Sequence, residues 1–99
     1  MPGFVQIMEF KTSKIEEVEA IREKMRAERG DALLATRGIA AADRDRPGVY
    51  FNIVEFDSYE EAMKNSNDPA TGEFSKQMAA LVDGPIKFTN LDVREVMDL

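Results

Sequence analysis

The stretch Val49-Tyr50-Phe51-Asn52-Ile53-Val54-Glu55-Phe56 reads as a β-strand with bulky apolar residues on both of its sides. Side chains alternate across a strand, so Phe51 and Ile53 oppose Tyr50, Val54 and Phe56. Phe4 to Lys11 repeats the pattern, with Val5 and Ile7 opposite Phe4, Met8 and Phe10. An antiparallel sheet with one face in water shows polar residues on that face. Here both faces need a cover, and that limits the fold more than any other feature.

The rest of the chain supplies one of the covers. Ser13 and Glu16 have the spacing of a capping box and predict a helix start. Ile15, Val18, Ile21 and Met25 follow at helical spacing, and Gly30 offers a stop. Leu33 to Ala42 reads as a second, alanine-rich strand. Asp43-Arg44-Asp45-Arg46-Pro47-Gly48 is turn chemistry leading back into the Val49 strand, which makes an antiparallel hairpin.

Ser58 and Glu61 open another helix with Tyr59, Ala62 and Met63, and the pattern falters at Asn65-Ser66-Asn67. Asp68 caps a renewed start with Pro69 in the first turn. Phe74, Met78, Leu81 and Val82 form its apolar stripe, Asp83-Gly84-Pro85 ends it, and Ile86 to Val96 reads as a last strand.

The order is βαββαβ, a ferredoxin-like α+β arrangement. It predicts a four-stranded antiparallel sheet with the helices on one face. A second copy of the chain is the economical cover for the other face, since most homo-oligomers are two-fold dimers. A homodimer is therefore expected.

Residues 1–99 suit one domain, whose modest core gives a further reason to pair. The net charge of −6 argues against a nucleic-acid or anionic-membrane partner. Arg22, Lys24, Arg26 and Arg29 do cluster, but they are interleaved with Glu16, Glu17, Glu19, Glu23 and Glu28 and read as a solvated, salt-bridged face.

The chain has no cysteine and no histidine. Disulfides, thiolate sites and cysteine nucleophiles are thereby excluded, and the commonest metal ligand and general base are missing. Tryptophan is absent too. No apolar run reaches the ~18 residues of a membrane span. Met1-Pro2-Gly3-Phe4 lacks the pattern of a secretory leader, so a cytoplasmic protein is expected.

Three stretches carry a family resemblance: Arg46-Pro47-Gly48-Val49-Tyr50-Phe51, Val54 through Ala62, and Phe74 through Pro85. With them the chain resembles the dimeric α/β-barrel superfamily, and within it the antibiotic-biosynthesis-monooxygenase-like group. The resemblance implies two sheets packed face to face and a pocket in each subunit between sheet and helices. Members include cofactor-free quinone-forming monooxygenases, haem-degrading enzymes and lactone isomerases.

The monooxygenase branch is similar in having an asparagine late in the third strand, which Asn52 matches. Its tryptophan four positions on is Phe56 here, and its tyrosine in the next helix is not recovered, Tyr59 being the nearest aromatic. The haem-degrading branch has a helical histidine that the stretch from Phe74 to Met78 lacks, which disfavours haem chemistry. No cofactor and no metal are expected.

Cofactor-free oxygenation asks that an easily deprotonated phenol or enol be desolvated and its anion held by hydrogen bonds. Asn52 and Tyr50, on one strand face, are candidate donors, against the plainer reading of a satisfied amide and a packed ring. Arg37 is a candidate anion holder, or else a bridge to an acid across the dimer such as Glu9 or Glu55. Phe56, Tyr59, Asn65, Phe74 and Met78 are candidate pocket-lining residues, although the Phe74–Met78 stripe also suits the core, and Asn65 suits plain turn chemistry.

Two functions stay open. One is a cofactor-independent monooxygenase-like oxidoreductase acting on an aromatic or polyketide-like molecule. The other is a non-catalytic dimer that binds a small apolar metabolite or serves as an interaction module. An enclosed cavity between sheet and helices, with the Asn52 amide pointing into it, favours the first, and a filled interior counts against it.

Overall fold

The structure, a computed structural model, describes residues 3–99, at positions 31 and 32 for the backbone alone. Met1 and Pro2, at the start read above for a secretory leader, lie outside the described residues. The elements run β1 (Phe4–Lys11), α1 (Ile15–Arg29), β2 (Ala35–Ala42), β3 (Val49–Phe56), α2 (Tyr59–Asn67), α3 (Pro69–Leu81) and β4 (Lys87–Asp92). A 3-10 turn, Gly30–Leu33, links α1 to β2.

The strands form one antiparallel sheet in the order β2-β3-β1-β4. Both long-range pairings are those of a ferredoxin-like βαββαβ fold, with the second helical segment broken in two. The break falls where expected. The Asp68 carboxylate accepts a hydrogen bond from the Ala70 amide at 2.8 Å, and Pro69 starts α3.

Other boundaries moved for local reasons. Ser13 does not cap α1; Lys14 holds the cap position without a side-chain bond. Thr12 does the tying instead. Its buried hydroxyl donates to the Leu81 carbonyl at 2.6 Å and accepts from the Lys14 amide at 2.9 Å, joining the end of β1 to the start of α1 and the end of α3. β2 begins only at Ala35, because Leu34 adopts a left-handed backbone with φ 65° that interrupts an extended chain. β4 stops at Asp92 rather than Val96, so Val93 to Val96 make no ladder.

The helices pack on one face, built from Phe4, Gln6, Met8 and Phe10 of β1 opposite Phe56, Val54, Asn52 and Tyr50 of β3. The buried apolar residues gather in two clusters. Phe4, Phe56 and Ala62 form one; Phe10, Val18 and Met78 form the other. They sit at the two ends of the β1–β3 pair, and the middle of the face, around Gln6, Met8, Asn52 and Val54, belongs to neither buried set.

Among the described residues no helix covers the opposite face. Ile7 pairs with Ile53, and Ile53 with Ile39, in an apolar row across three strands. Val5 lies beside Leu91, and both Ile39 and Leu91 are exposed. The sequence pattern of two apolar faces is thus carried into the fold, with only one face sealed within the chain.

Candidate functional site

Between the two core clusters the helices stand off the sheet and leave a partly open cleft of about 550 Å³. That is within the usual range of small-molecule pockets, about 300–1,000 Å³. Its floor is the middle of the sheet, with Met8, Asn52 and Val54; its walls are Arg22 and Met25 of α1 and Phe74 of α3. Phe88 on the edge strand borders it while still 52% exposed.

Asn52 is the buried polar group of this floor, 6% exposed. Its Oδ1 accepts from Arg22 Nη1 at 3.1 Å. A guanidinium only donates, so the amide must turn its oxygen to Arg22 and its NH2 away. Among the described residues none accepts from that Nδ2. The amide is therefore a fixed donor at the cleft floor, and Arg22 is what fixes it. Among the described residues, Arg22 is otherwise held only by Glu19, at 4.0 Å.

The cleft has an unusual charge for this chain. Among the described residues, three arginines of α1 line it (Arg22, Arg26 and Arg29) against one carboxylate, Glu23, in a protein of net charge −6. Reading the α1 cations as a solvated face needs correction for two of them. Lys24–Glu28 and Arg26–Glu23 are exposed surface pairs. Arg29 is not; its side chain is 6% exposed, donates to Thr71 Oγ1 at 2.6 Å and pairs with Asp68 at 3.4 Å. Arg22 turns inward to Asn52. The missed signal is spacing: Ile15, Val18, Arg22 and Arg29 recur along one helix side, so the stripe that faces the sheet changes from apolar to cationic halfway along.

The candidate residues divide. Asn52, Phe56, Asn65 and Phe74 all line the cleft. Asn65 adds a feature of its own, a buried Oδ1 without a hydrogen-bond partner among the described residues. Such a group costs about 1–3 kcal/mol when nothing completes it.

Four candidates stand elsewhere. Tyr50 stacks on Phe10, with ring centroids 6.0 Å apart, and lines a smaller neighbouring cavity of about 250 Å³ that also touches Asn52 and Arg22. Tyr59 points outward, 54% exposed, edge-on to Phe4. Met78 is fully buried with Phe10 and Val18, where core packing takes all of its surface. Arg37 borders the cleft at the β2 edge, but its register with Glu55 places the side chain on the bare face. There it pairs with Glu55 of its own chain at 3.6 Å.

Among the described residues no three His, Cys, Asp or Glu side chains converge to hold a metal ion. No helix among them is long and apolar enough to cross a membrane.

No protein-family model matches the chain, and no curated protein matches it in sequence. Solved structures do. SnoaB from Streptomyces nogalater, a cofactor-independent oxygenase, superposes with a TM-score of 0.81 over 98% of each chain at 14% identity. An asparagine-to-alanine variant of SnoaB also gives 0.81, over 96% of each chain. A conserved protein from Methanosarcina mazei superposes with a TM-score of 0.82 over 95% of each chain at 8% identity. Other structures of this shape are described as candidate antibiotic biosynthesis monooxygenases, among them one from Caulobacter crescentus, with a TM-score of 0.79, 15% identity, and coverage of 95% of this chain and 92% of that one. At these identities the likeness is one of fold, and the chain has the ferredoxin-like fold of these proteins.

Proposed function

We propose that this chain is a cofactor-independent, monooxygenase-like oxidoreductase acting on an aromatic small molecule, and that it works as a homodimer in the dimeric α/β-barrel manner. The observation that carries the proposal is the Asn52 amide, buried at the floor of an open cleft with its NH2 held free for an acceptor by Arg22. The fold shared with a cofactor-independent oxygenase supports the same reading.

The chemistry asks for little machinery. A methylene activated by flanking aromatic rings loses a proton to water, and its enolate reacts with dioxygen; the methylene becomes a carbonyl, and the second oxygen atom leaves as water. The costly point is the buried negative charge. Asn52 Nδ2 can donate to the enolate oxygen, and the Arg22 charge directly behind it stabilises the same anion at the buried floor of the cleft. Neither group has to change its own protonation state.

The homodimer rests on the uncovered apolar row Ile39–Ile53–Ile7. A cytoplasmic setting belongs to the same proposal. The experiment is oxygen uptake with a panel of hydroquinones and anthrones. Wild type should consume oxygen with at least one of them, and Asn52→Ala should do so about a hundredfold more slowly, the scale of one lost oxyanion donor. Equal rates in the two proteins would remove the role assigned to Asn52. Tight binding without uptake would favour a binding dimer over an enzyme.

A further inference from the structure

Gly38 stands inside β2 without a backbone reason to be glycine. Its φ lies outside the left-handed range that favours glycine. Nor does crowding require it, because a Cβ built there would meet nothing within 4 Å. Glycine in a strand interior costs stability relative to alanine. Where it stands there, it often marks a close approach of something else to the backbone.

The open space lies over the floor of the cleft. Gly38 pairs with Val54, and paired residues on neighbouring strands share a face. A side chain at this position would therefore stand on the helix side, in the cleft that Gly38 lines. Side-chain bulk falls toward β2 along both cross-strand rows of that floor. One row runs Phe88, Met8, Asn52 and Ala40. The next runs Gln6, Val54 and Gly38. The floor is thus lowest over β2, with Arg22 and Met25 of α1 as the facing wall.

A second observation points to a ligand in the same space. Asn52 is 6% exposed, its Oδ1 is taken by Arg22, and its Nδ2 has no acceptor among the described residues. That nitrogen is not sealed off as Asn65 Oδ1 is. Gly38 is the diagonal neighbour of Asn52 on the next strand, about 7–8 Å away.

We infer that Gly38 is a specificity-determining residue, whose missing side chain is the room taken by the far part of a flat ligand. An acidic oxygen of the ligand is held at Asn52 Nδ2, and its apolar body lies on the backbone of Ala40 and Gly38. Residue 38 then limits how far the body extends beyond its first ring. This rests on the reading of the cleft as a small-molecule site and adds which residue sets the size of what enters it.

Three aromatic carboxylates of growing length probe the space: benzoate, 2-naphthoate and anthracene-2-carboxylate. Each is titrated calorimetrically against the full chain and against Gly38→Ala, Gly38→Leu and Asn52→Ala. Wild type should bind about tenfold more tightly with each added ring, the scale of burying a few more apolar carbons. Gly38→Leu should bind anthracene-2-carboxylate about a hundredfold more weakly than wild type, the scale of overfilling a packed space. Its affinity for benzoate should stay within about twofold, because a single ring stops short of the added side chain. Asn52→Ala should weaken all three by a similar factor.

Gly38→Ala guards against a leucine variant that does not fold. It should melt no lower than wild type, and it should lose affinity for the longest probe alone. A clearly lower melting temperature would show that the glycine serves the fold, and would overturn the inference. An unchanged ring preference in Gly38→Leu would overturn it too, while leaving a small-molecule site in place. If wild type binds none of the probes, or Asn52→Ala weakens none, the reading of the cleft falls and this inference with it.

Discussion

Arg22 Nη1 on α1 donates to Asn52 Oδ1 on β3 at 3.1 Å, a bridge between helix and sheet that decides which end of a buried amide faces the cleft. Without the guanidinium the amide could turn over, since its two ends differ little in shape. The bond therefore does two things. It orients the one donor on the cleft floor, and it puts a positive charge behind that donor.

If the two residues act as a unit, their substitutions should not add. Arg22→Met should slow oxygen uptake about tenfold to a hundredfold, and Asn52→Ala should slow it by a similar factor. The double variant should be no slower than the worse single one, because either change already leaves the anion without an oriented donor. A double-mutant cycle on uptake rates reads this directly, and multiplying effects would show that the two residues work independently.

Arg29 should matter for stability. It is nearly buried and bonded to Thr71 and Asp68, tying the end of α1 to the start of α3. Arg29→Leu should cost about 2 kcal/mol, in the range for hydrogen bonds to a charged group. Thr71→Val should cost about 1 kcal/mol by removing one acceptor. Urea denaturation gives both numbers, and wild-type stability for Arg29→Leu would contradict the structural role.

The β2–β3 turn carries an acid-sensitive lock. Hydrogen bonding from the Asp45 amide, and then from the Arg46 guanidinium, holds the Asp43 carboxyl below its ordinary value. A depressed folded-state pKa stabilises above the unfolded value and ceases to do so as pH falls through the folded one. Asp43→Asn keeps the short backbone bonds but loses the charge. It should therefore melt below wild type at pH 7, and the gap should close below about pH 4. A gap that persists at pH 2 would show that the charge is not the cause.

The strand pattern made the fold legible, and the helix pattern concealed half of the site. Phe4 to Lys11 and Val49 to Phe56 alternate so plainly that both strands have the expected bounds. Asn52 was singled out by the resemblance to the monooxygenase branch, which has an asparagine late in the third strand. Arg22 and Arg29 did not, because the many glutamates of α1 supplied each arginine with a local partner on paper. Which cation turned inward depended on the space left by Phe74 and Thr71, from a segment some forty residues away. Tyr50 and Met78 shared faces with the site but were taken up by packing on Phe10, which only tertiary distances reveal.

Gly3 should resist any side chain. A Cβ built there would lie 2.6 Å from the Phe56 carbonyl oxygen, a backbone atom with little room to yield. The Gly3 carbonyl also accepts from the Val93 amide at 2.9 Å, which fixes the exit of β4. Gly3→Ala should cost about 1–3 kcal/mol, the usual cost of overpacking, as read by thermal or urea unfolding. A neutral result would mean that the strand end shifts without penalty.

The bare sheet face should be the dimer interface. Ile53 is its centre, flanked by Ile7 on one side and Ile39 on the other. A lysine there would be buried against the same apolar row of a partner. Ile53→Lys should weaken self-association about a hundredfold, the scale of a central interface residue. Ile53 shares its sheet face with Ile7 and Ile39, opposite the Asn52 face, so Ile53→Lys should leave the folded far-UV circular dichroism spectrum intact while the oligomeric state changes. Analytical ultracentrifugation at micromolar concentration should find wild type paired and the variant as single subunits. A wild-type chain that sediments alone at that concentration would leave Ile7, Ile39 and Ile53 facing water, and the paired-sheet proposal would fall.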